Sequence, residues 1–563
     1  MTWWHNAVVY QIYPRSFADS DGDGVGDLPG IVSRLDYLAG LGVDVVWLSP
    51  IFTSPMEDNG YDVADYDNVD PLFGTNGDLD ALIDGSHRRG MKLVLDMVLN
   101  HTSSQHPWFI DSRSKSSVKR DWYYWRPARP GFTPGTPGAE PTNWAAFFGG
   151  RAWEYDPESG EYYLHLFAPG QPDLNWDNPD VRQELFAMMR RYVDRGVDGF
   201  RFDVVNMVSK TLPLADGPAA PDGLCYDPSL VADGPRIHEF LADMNREVGI
   251  SQRDLFSVGE MVMVDVEKAR VYTDPGNREL GMVISFDHMG LDQDPAGLKW
   301  DLRPYRLADL KHVLAHWQDG LAGVGWNCLY LENHDQPRSV SRFGDDSPQY
   351  RVASAKTLAT TLHLLGGTPF IYQGEEIGMT NAGFTDLEQY RDVESLNFAH
   401  AALGAGLPEP AVLASLGAKS RDNARTPMCW DGSASAGFSE GTPWLPVNAN
   451  HGDINAASDI ADPDSVYHHY RKLIALRHEV PVVTNGHFEL LLGDDERIFA
   501  YTRTSDDATL LVVANWCSQP TTWPDGLPDV TNATLVLGTH PVTGNGRELA
   551  GELAAWESRV LLL

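Results

Sequence analysis

Short apolar stretches alternate with longer amphipathic segments along most of the chain. Each apolar stretch is rich in β-branched or aromatic residues and is followed by turn residues, which is typical of a buried strand. Strands are predicted at 8–14, 43–50, 92–101, 196–205, 255–261, 283–288, 328–335 and 369–376. Segments with helical spacing separate them, for example 28–41, 76–89 and 179–195.

This alternation predicts an α/β fold in which eight parallel strands and their helices close into a (β/α)8, or TIM, barrel. An open, doubly wound parallel sheet is the alternative. It is disfavoured because no glycine-rich phosphate-binding loop follows the first apolar stretch.

Two regions interrupt the barrel pattern. The third and fourth predicted strands are too far apart for one helix, so an inserted small domain is predicted at 102–173. Beyond about residue 480 the helical segments stop and short alternating stretches follow, which predicts a C-terminal antiparallel β domain, a β-sandwich, at 480–563. The barrel would then consist of 1–101 and 174–479.

The composition, with 42% hydrophobic and 10% aromatic residues, is that of a folded globular protein. The formal net charge of −36 at pH 7 repels phosphate groups, so neither nucleic acid nor a membrane surface is an expected partner. No signal-peptide pattern begins the sequence and no stretch reaches the ~18 apolar residues of a membrane span, so a cytoplasmic protein is expected. Cys225, Cys328, Cys429 and Cys517 lie far apart in sequence and are expected to be free thiols.

Charged residues end four of the predicted strands. They are Asp96, Asn100 and His101 on the third, Arg201 and Asp203 on the fourth, Glu260 on the fifth, and Glu332, His334 and Asp335 on the seventh. The carboxyl ends of barrel strands meet at one rim, where several carboxylates would repel each other. One such strand end could be a structural ion pair, but four together indicate a functional site.

The residue types narrow the chemistry of this site. No HxH or HExxH spacing indicates a catalytic metal, and no GxSxG motif or reactive-cysteine motif is present. Two carboxyl groups that act as acid and nucleophile, with aromatic rings that stack on a sugar, favour the cleavage of a glycosidic bond.

Four motifs in the chain resemble the four sequence regions of the α-amylase superfamily, glycoside hydrolase family 13. They are DMVLNH (96–101), GFRFD (199–203), VGE (258–260) and ENHD (332–335), in this order on the expected strands. QPDLN (171–175) resembles the fifth region of the oligo-1,6-glucosidase and α-glucosidase branch. The resemblance covers nearly the whole chain, and the ordered set is far more specific than any single motif.

The resemblance implies that Asp203 is the nucleophile, Glu260 the general acid/base and Asp335 the carboxylate that supports the distorted sugar. The residues agree with these roles, because a retaining mechanism needs one ionised and one protonated carboxyl group. Arg201, two residues before Asp203 on a strand, is expected to keep Asp203 ionised. Glu260 is expected to have a raised pKa, and no organic cofactor is implied.

DNGYD (58–62) resembles the pocket of this branch for a terminal glucose, so Asp58 is expected to bind hydroxyls and Tyr61 to stack on the sugar. SRDNARTPM (420–428) is expected to place Arg421 beside Asp58. A pocket closed at one end favours exo-action on short oligosaccharides. A salt bridge between two loops is the simpler interpretation of this pair, and both can hold.

Three aromatic side chains complete the predicted sugar site. His101 and His334 lie within matched motifs and are expected to hydrogen-bond sugar hydroxyls. Phe167 is expected either to form an aromatic wall of the pocket or to pack in the core.

The residue after the nucleophile, Val204, resembles the α-1,6-cleaving members of the branch. The predicted function is therefore a retaining exo-α-glucosidase that hydrolyses terminal α-1,6-linked glucose from isomaltose-like oligosaccharides, with α-1,4-linked glucose as a further candidate substrate. An α-1,4-preferring α-glucosidase or a transglucosylase is the first alternative. The segment FDHMGLDQD (286–294) disfavours a sucrose isomerase. A trehalose synthase would use the same three carboxylates, so they do not exclude it. The retained carboxylates disfavour a non-catalytic binding domain.

A separate acidic motif near the N-terminus predicts a metal site. Its oxygen ligands alternate with glycines, as at the start of an EF-hand loop. The predicted ligands are Asp19, Asp21, Asp23, the Val25 carbonyl and Asp27. They predict a structural Ca²⁺, which Mg²⁺ could replace, and an acidic turn without a metal is the alternative. The protein is expected to be a monomer or a weak homo-oligomer.

Overall fold

Strands and helices follow each other in the order that the hydrophobic pattern predicts. A computed structural model describes residues 2–295, 297–541 and 546–563. The strands are β1 (Val9–Ile12), β2 (Val45–Leu48), β3 (Phe52–Thr53), β4 (Asp65–Val69), β5 (Lys92–Val98), β6 (Trp125–Arg126), β7 (Trp153–Asp156), β8 (Glu161–Leu164), β9 (Gly199–Asp203), β10 (Phe256–Glu260), β11 (Met282–Ile284), β12 (Cys328–Leu329), β13 (Thr368–Tyr372), β14 (His487–Leu491), β15 (Ile498–Thr504), β16 (Thr509–Asn515), β17 (Thr534–Gly538) and β18 (Ser558–Leu562).

The helices lie mainly between the strands of the first 480 or so residues. They are α1 (Leu28–Ser33), α2 (Leu35–Leu41), α3 (Asn76–His87), α4 (Pro107–Ser112), α5 (Pro179–Arg195), α6 (Ile237–Val248), α7 (Val266–Thr273), α8 (Leu307–Leu321), α9 (Ser339–Arg342), α10 (Arg351–His363), α11 (Val393–Gly404), α12 (Glu409–Lys419), α13 (Asp422–Arg425), α14 (Ala456–Ala461), α15 (Val466–Glu479) and α16 (Val482–Asn485).

The central sheet is a barrel of parallel strands, in the order β11, β10, β9, β5, β2, β1, β13 and β12. A parallel bridge between Val283 and Asn327 joins its two outer strands and closes it. Every predicted barrel stretch overlaps one of these strands, so the predicted barrel is confirmed. The strands are buried along most of their length, because helices cover the outside and side chains fill the inside.

The helices begin and end where their sequences supply caps. For α5, Asn178 accepts a hydrogen bond from Asp180 N, Pro179 is the first helical residue, and Gly196 ends the helix with a left-handed φ of 116°. The predicted helix at 28–41 is instead two helices, α1 and α2, which meet at Arg34 with non-helical backbone angles.

The inserted segment between β5 and β9 contains a small antiparallel sheet in the order β6, β8, β7. Bridges from His101 to Asp173 and from Tyr123 to Leu174 connect its two ends to each other. Its apolar cluster is completed by the segment that follows β9, which contributes Val204, Met207, Cys225, Val231 and Ala232. This small sheet is the inserted domain that the sequence predicts, although its limits of 102 and 173 stay a prediction.

The C-terminal region forms an antiparallel sheet in the order β14, β15, β16, β18, β17. One face packs on α8, α10 and α16 of the barrel part. Apolar residues outside the sheet cover the other face, among them Val530, Leu553 and Leu549, which lies in a short 3-10 helix (Gly546–Ala550). Within the described part of 480–563 the structure thus has one sheet, so the predicted β-sandwich of two sheets is wrong. A second sheet is not needed there, because side chains outside the sheet bury the face that points away from the barrel.

Two further expectations concern the whole chain. All four cysteines are free thiols in the structure, as predicted. Over the described ranges, none of the helices combines the length and the apolarity that crossing a lipid bilayer requires.

Candidate active site

A cavity of about 220 Å³ lies at the carboxyl ends of the barrel strands, beside the inserted segment. Nine of the eleven predicted catalytic and sugar-binding residues line it, and Arg201 and His334 lie directly behind them. The lining residues are Asp58, Tyr61, His101, Phe148, Phe167, Asp203, Val204, Glu260, Val262, Phe286, Lys299, Asp335, Gln336, Glu394 and Arg421. The structure therefore brings residues from widely separated motifs into one site.

Arg201 is fully buried and contacts three carboxyl groups. Its Nη1 lies 2.7 Å from Asp96 Oδ1 and 2.9 Å from Asp203 Oδ1, and its Nη2 lies 2.7 Å from Glu260 Oε2. The strand register explains this arrangement, because Arg201 on β9 lies opposite Asp96 on β5. If all three carboxyl groups ionised, one positive charge would face three negative charges in a buried site, which is unfavourable.

The pKa values of these carboxyl groups are raised. Burial is the main cause that raises the pKa of Glu260 to about 8, and the charges of Asp203 and Asp335 add to it. Burial also raises the pKa of Asp203, although Arg201 opposes the shift. Arg201 thus favours the ionised nucleophile, as expected, but burial outweighs it. Glu260 has the higher pKa and is the group that keeps its proton at neutral pH.

Asp335 has the opposite surroundings. Its Oδ1 lies 2.7 Å from Arg425 Nη2 and 3.4 Å from Arg421 Nη1. Burial alone would raise its pKa, but the positive charges around it hold the pKa well below the usual range. Burial lowers the pKa of His334 to about 3, so at neutral pH the two arginines supply this charge. Asp335 is therefore ionised.

Asp58 and Arg421 line the cavity as a buried ion pair. Arg421 Nη2 lies 2.9 Å from Asp58 Oδ1, and both side chains are buried. Gln171 Nε2 donates a hydrogen bond of 3.1 Å to Asp58 Oδ2. Gln171 belongs to the QPDLN motif, so the inserted segment fixes the carboxylate that the barrel loop supplies.

Tyr61 lies between the two charged clusters. Its ring stacks on His334 with centroids 5.2 Å apart and an interplanar angle of 10°. Its hydroxyl lies 2.9 Å from Asp96 Oδ2 and 2.6 Å from His334 Nε2. His101 Nε2 lies 3.0 Å from the Tyr61 carbonyl oxygen, and burial lowers the pKa of His101 to about 4. Both imidazoles are neutral at pH 7. His101 lines the cavity, whereas both ring nitrogens of His334 have protein partners, because its Nδ1 lies 2.8 Å from Gln11 Nε2. The structure therefore places His334 behind the cavity wall and not where it was expected to bind a sugar hydroxyl.

Phe167 forms an aromatic wall together with two neighbours. Its ring centroid lies 5.4 Å from those of Phe147 and Phe148 and 5.2 Å from that of His101. The Arg421 guanidinium lies 4.8 Å from the Phe148 ring. Phe167 therefore both lines the cavity and packs against other aromatic rings. Phe148 was missed in the sequence, although the adjacent pair at 147 and 148 in an aromatic-rich insertion is a usable signal.

Val204 has a strained backbone. Its φ of 33° and ψ of 42° are left-handed, which for a β-branched residue costs about 1–3 kcal/mol. In this conformation the Val204 N–H lies 3.3 Å from Glu260 Oε2 and the side chain faces the cavity. The residue after the nucleophile thus also orients the carboxyl group of Glu260.

The mouth of the cavity holds residues that no motif indicated. Lys299 Nζ lies 2.5 Å from Glu394 Oε2, and Glu394 Oε2 lies 3.8 Å from Arg421 Nε. Lys299 follows β11 in a loop, whereas Glu394 lies in the first turn of α11. Their proximity depends on the tertiary fold, and neither short segment carries a recognisable pattern.

The predicted metal loop lies apart from this cavity. Side-chain oxygens of Asp19, Asp21 and Asp27 lie within 4.8 Å of one another, which fits a hard cation that prefers oxygen ligands. Asp23 is outside this group of three, and its Oδ1 accepts a hydrogen bond of 2.8 Å from the N–H of Val25. Three of the five predicted ligands thus converge, and bound Ca²⁺ stays a proposal.

Known proteins resemble this chain over its full length. An oligo-1,6-glucosidase of Parageobacillus thermoglucosidasius is 51% identical over 99% of this chain and 98% of its own length. An alpha-glucosidase of Pediococcus pentosaceus is 50% identical over 100% of this chain and 99% of its own length. Among solved structures, a trehalose-6-phosphate hydrolase of Bacillus licheniformis is 45% identical with a TM-score of 0.93, and each chain is covered to 100%.

The family assignment follows from the motifs, the geometry and these likenesses together. Residues 11–486 match the family described as alpha amylase, catalytic domain. The same residues include the barrel apart from the first two residues of β1, the inserted segment and every residue of the cavity. The chain therefore belongs to the alpha-amylase family of enzymes, glycoside hydrolase family 13.

Proposed function

We propose that the enzyme is a retaining, exo-acting α-glucosidase that hydrolyses terminal α-1,6-linked glucose from isomaltose-like oligosaccharides, with α-1,4-linked glucose as a further substrate. One observation carries this proposal: a buried Asp58–Arg421 ion pair lines the same cavity as Asp203, Glu260 and Asp335, where it would close one end. A closed end accepts one terminal sugar and leaves the rest of the oligosaccharide towards the mouth. Full-length relatives that are named oligo-1,6-glucosidase and alpha-glucosidase support it.

The nucleophile has one oxygen available for attack. Asp203 Oδ1 is held by Arg201 Nη1 at 2.9 Å, so Oδ2 is the oxygen that attacks the anomeric carbon. The bond between Oδ2 and this carbon forms while the glycosidic carbon–oxygen bond breaks. The product of this step is a covalent glycosyl-enzyme, as a retaining mechanism requires.

Glu260 supplies the proton to the leaving oxygen. Its Oε2 faces two donors, Arg201 Nη2 at 2.7 Å and the Val204 N–H at 3.3 Å, so the proton belongs on Oε1. Once Asp203 is a neutral ester, one cause that raises the Glu260 pKa is gone, and the Glu260 carboxylate can take a proton from water. The oxygen of that water attacks the anomeric carbon while the bond from this carbon to Asp203 Oδ2 breaks. This step restores the Asp203 carboxylate and the protonated Glu260 and releases glucose with retained configuration.

Asp335 stabilises the sugar between these two steps. Two arginines keep it ionised, so it is an acceptor for sugar hydroxyls and a negative charge near the developing oxocarbenium ion. Arg421 also binds Asp58, so the same guanidinium connects the supporting carboxylate with the closed end of the pocket.

The linkage preference rests on Val204 and is tested by kinetics on isomaltose, maltose, sucrose and trehalose 6-phosphate under the same conditions. We expect the highest kcat/KM with isomaltose, and we expect Val204→Ala to lower the isomaltose-to-maltose ratio of kcat/KM by about tenfold. A higher kcat/KM for maltose in the parent enzyme would contradict the linkage proposal.

The same assay separates the alternatives. Products longer than the substrate at high substrate concentration would indicate a transglucosylase, in which a sugar hydroxyl replaces water. An isomeric disaccharide from sucrose would indicate an isomerase. Preferred hydrolysis of trehalose 6-phosphate would assign this chain the activity named for its structural neighbour from Bacillus licheniformis.

The remaining proposals concern stability and assembly. Asp19, Asp21 and Asp27 would hold a Ca²⁺ ion, or Mg²⁺ in its place, which would cross-link the loop before α1 without taking part in the chemistry. No organic cofactor is needed for the proposed steps. A cytoplasmic location and a monomeric or weakly oligomeric state also stay proposals, to be tested by cell fractionation and by light scattering.

A further inference from the structure

Asp392 is a buried carboxylate that does not line the cavity but contacts Arg421, which does, and Arg425, which does not. Its Oδ1 lies 2.5 Å from Arg421 Nη2 and accepts a hydrogen bond of 2.7 Å from Arg421 Nε. Arg425 Nη1 lies 3.6 Å from the same oxygen. The Asp392 side chain is completely buried, so these contacts are shielded from solvent.

The position of Asp392 is itself fixed. Its Oδ2 accepts hydrogen bonds from Ser395 N at 2.9 Å and from Ser395 Oγ at 2.7 Å, which caps the N-terminus of α11. Its own N–H donates to Asp422 Oδ2 at 3.0 Å. Since both carboxylate oxygens are bound, the group has a single orientation towards Arg421.

Arg421 needs such a constraint, because several acceptors compete for it. Its Nη2 binds Asp58 at 2.9 Å and its Nη1 faces Asp335 at 3.4 Å, but Nε also lies 3.8 Å from Glu394 at the cavity mouth. An arginine side chain carries about 2 kcal/mol of rotamer entropy and can turn between acceptors. Asp392 binds Nε and Nη2 together and thereby defines the plane of the guanidinium.

We propose that Asp392 is a positioning residue of the glucose pocket: it holds the Arg421 guanidinium so that Nη2 meets Asp58 and Nη1 faces Asp335. The inference rests on the proposed function, in which these three side chains bind the terminal glucose. Its role is indirect, because Asp392 has no surface in the cavity.

Asp392→Asn tests the inference, because this substitution keeps the cap of α11 and removes the charge that holds Arg421. We expect KM for the oligosaccharide and the inhibition constant for free glucose both to rise by about 10- to 100-fold, with a smaller change in kcat. Ser395→Ala is the matched control. It removes one hydrogen bond to the same carboxylate but leaves its charge, and both constants should stay within about twofold of the parent values.

A double-mutant cycle separates positioning from a general structural role. In an Arg421→Met background, Asp392→Asn should change the glucose inhibition constant by less than about twofold, because the group that Asp392 positions is gone. Equal effects in both backgrounds, or an unchanged glucose inhibition constant in the single variant, would overturn the proposal.

Two precautions keep the test decisive. If Asp392→Asn does not fold, Asp392→Glu is tested instead. This variant keeps the charge but adds one methylene group, which displaces the carboxylate oxygens, and the same rise in the glucose inhibition constant is expected. The KM and kcat of every variant are compared with those of the parent enzyme on the substrate that the parent enzyme cleaves best. A preference for maltose would then contradict the proposed linkage without affecting the test of Asp392.

Discussion

Two buried clusters of arginines and carboxyl groups both contribute side chains to the wall of the cavity. In the first, Arg201 alone contacts Asp96, Asp203 and Glu260. In the second, two arginines, Arg421 and Arg425, share three carboxylates, which are Asp58, Asp335 and Asp392. The first cluster has one arginine for three carboxyl groups, whereas the second, the balanced cluster, has two arginines for three carboxyl groups.

The difference in charge balance separates the functions of the carboxyl groups. In the Arg201 cluster the pKa of Glu260 rises to about 8, so a proton is available for the leaving group. In the two-arginine cluster the pKa of Asp335 falls, so that carboxylate is ionised at neutral pH. Because Glu260 and Asp335 are both buried, the charges around them separate their pKa values. Asp58 shows that two arginines do not always suffice, because burial raises its pKa to about 6 although Arg421 and Arg425 oppose the shift.

The largest expected effect comes from removing the proposed nucleophile of the Arg201 cluster. Asp203→Ala should lower kcat/KM by at least about 10⁴-fold, because no covalent intermediate can form. Asp198→Ala is the control just before the same strand, where Asp198 binds Lys92 and His87. It should lower the melting temperature and leave kcat within a few-fold, and substantial activity of Asp203→Ala would refute the nucleophile assignment.

A somewhat smaller effect is expected when the acid of the same cluster loses its proton. The parent kcat/KM should fall as the pH rises through about 8, because Glu260 then becomes a carboxylate that cannot protonate the leaving oxygen. Glu260→Gln should lower kcat by about 10²- to 10⁴-fold and remove this alkaline limb. Glu376→Gln is the control, since Glu376 is buried with a pKa of about 7 but bonds to Tyr10 and Tyr37 away from the cavity. An alkaline limb that persists in Glu260→Gln would contradict the assignment.

The balanced cluster can be converted towards the state of the other by removing one arginine. Arg425→Met deletes the 2.7 Å contact with Asp335, so the pKa of Asp335 should rise. Because a raised pKa means that the proton binds at a higher pH, the acid limb of kcat/KM should move upward, with a loss of about 10- to 100-fold at neutral pH. Arg477→Met is the control, since Arg477 is also buried but donates to the backbone carbonyl oxygens of His5 and Gly367. A parent-like acid limb in Arg425→Met would show that Arg421 alone keeps Asp335 ionised.

The smallest effect on activity is expected at the third carboxylate group, Asp19, Asp21 and Asp27, where a cation would take the place of the arginines. Chelation should lower the melting temperature by a few degrees, and Ca²⁺ should restore it, because an ion that binds only the folded state stabilises that state. The kcat should not change. Asp21→Asn should abolish the Ca²⁺-dependent shift, whereas a shift that persists in this variant would place the ion elsewhere.

The sequence predicted the barrel and the catalytic carboxylates because both depend on local patterns. Strand periodicity and strand-end charges placed Asp203, Glu260 and Asp335 among the candidate site residues. The family resemblance then implied their separate roles, which stay proposals. The two-sheet sandwich predicted for the C-terminal region was wrong within the described residues, where one sheet is present. Leu549 in a short 3-10 helix and Leu553 after it cover that sheet, and neither short segment carries a periodic signal. The second arginine of the balanced cluster, Arg425, lies within a quoted motif but was not singled out as a site residue.

The sequence alone thus determined the fold, the family and the chemical types present at each strand end. Only the tertiary structure decided how many positive charges surround each carboxyl group. That count depends on contacts between residues such as Asp335 and Arg425, which are 90 positions apart, and on the burial that makes each contact strong. A pKa depends on distances and solvation, and neither is written in the order of the residues.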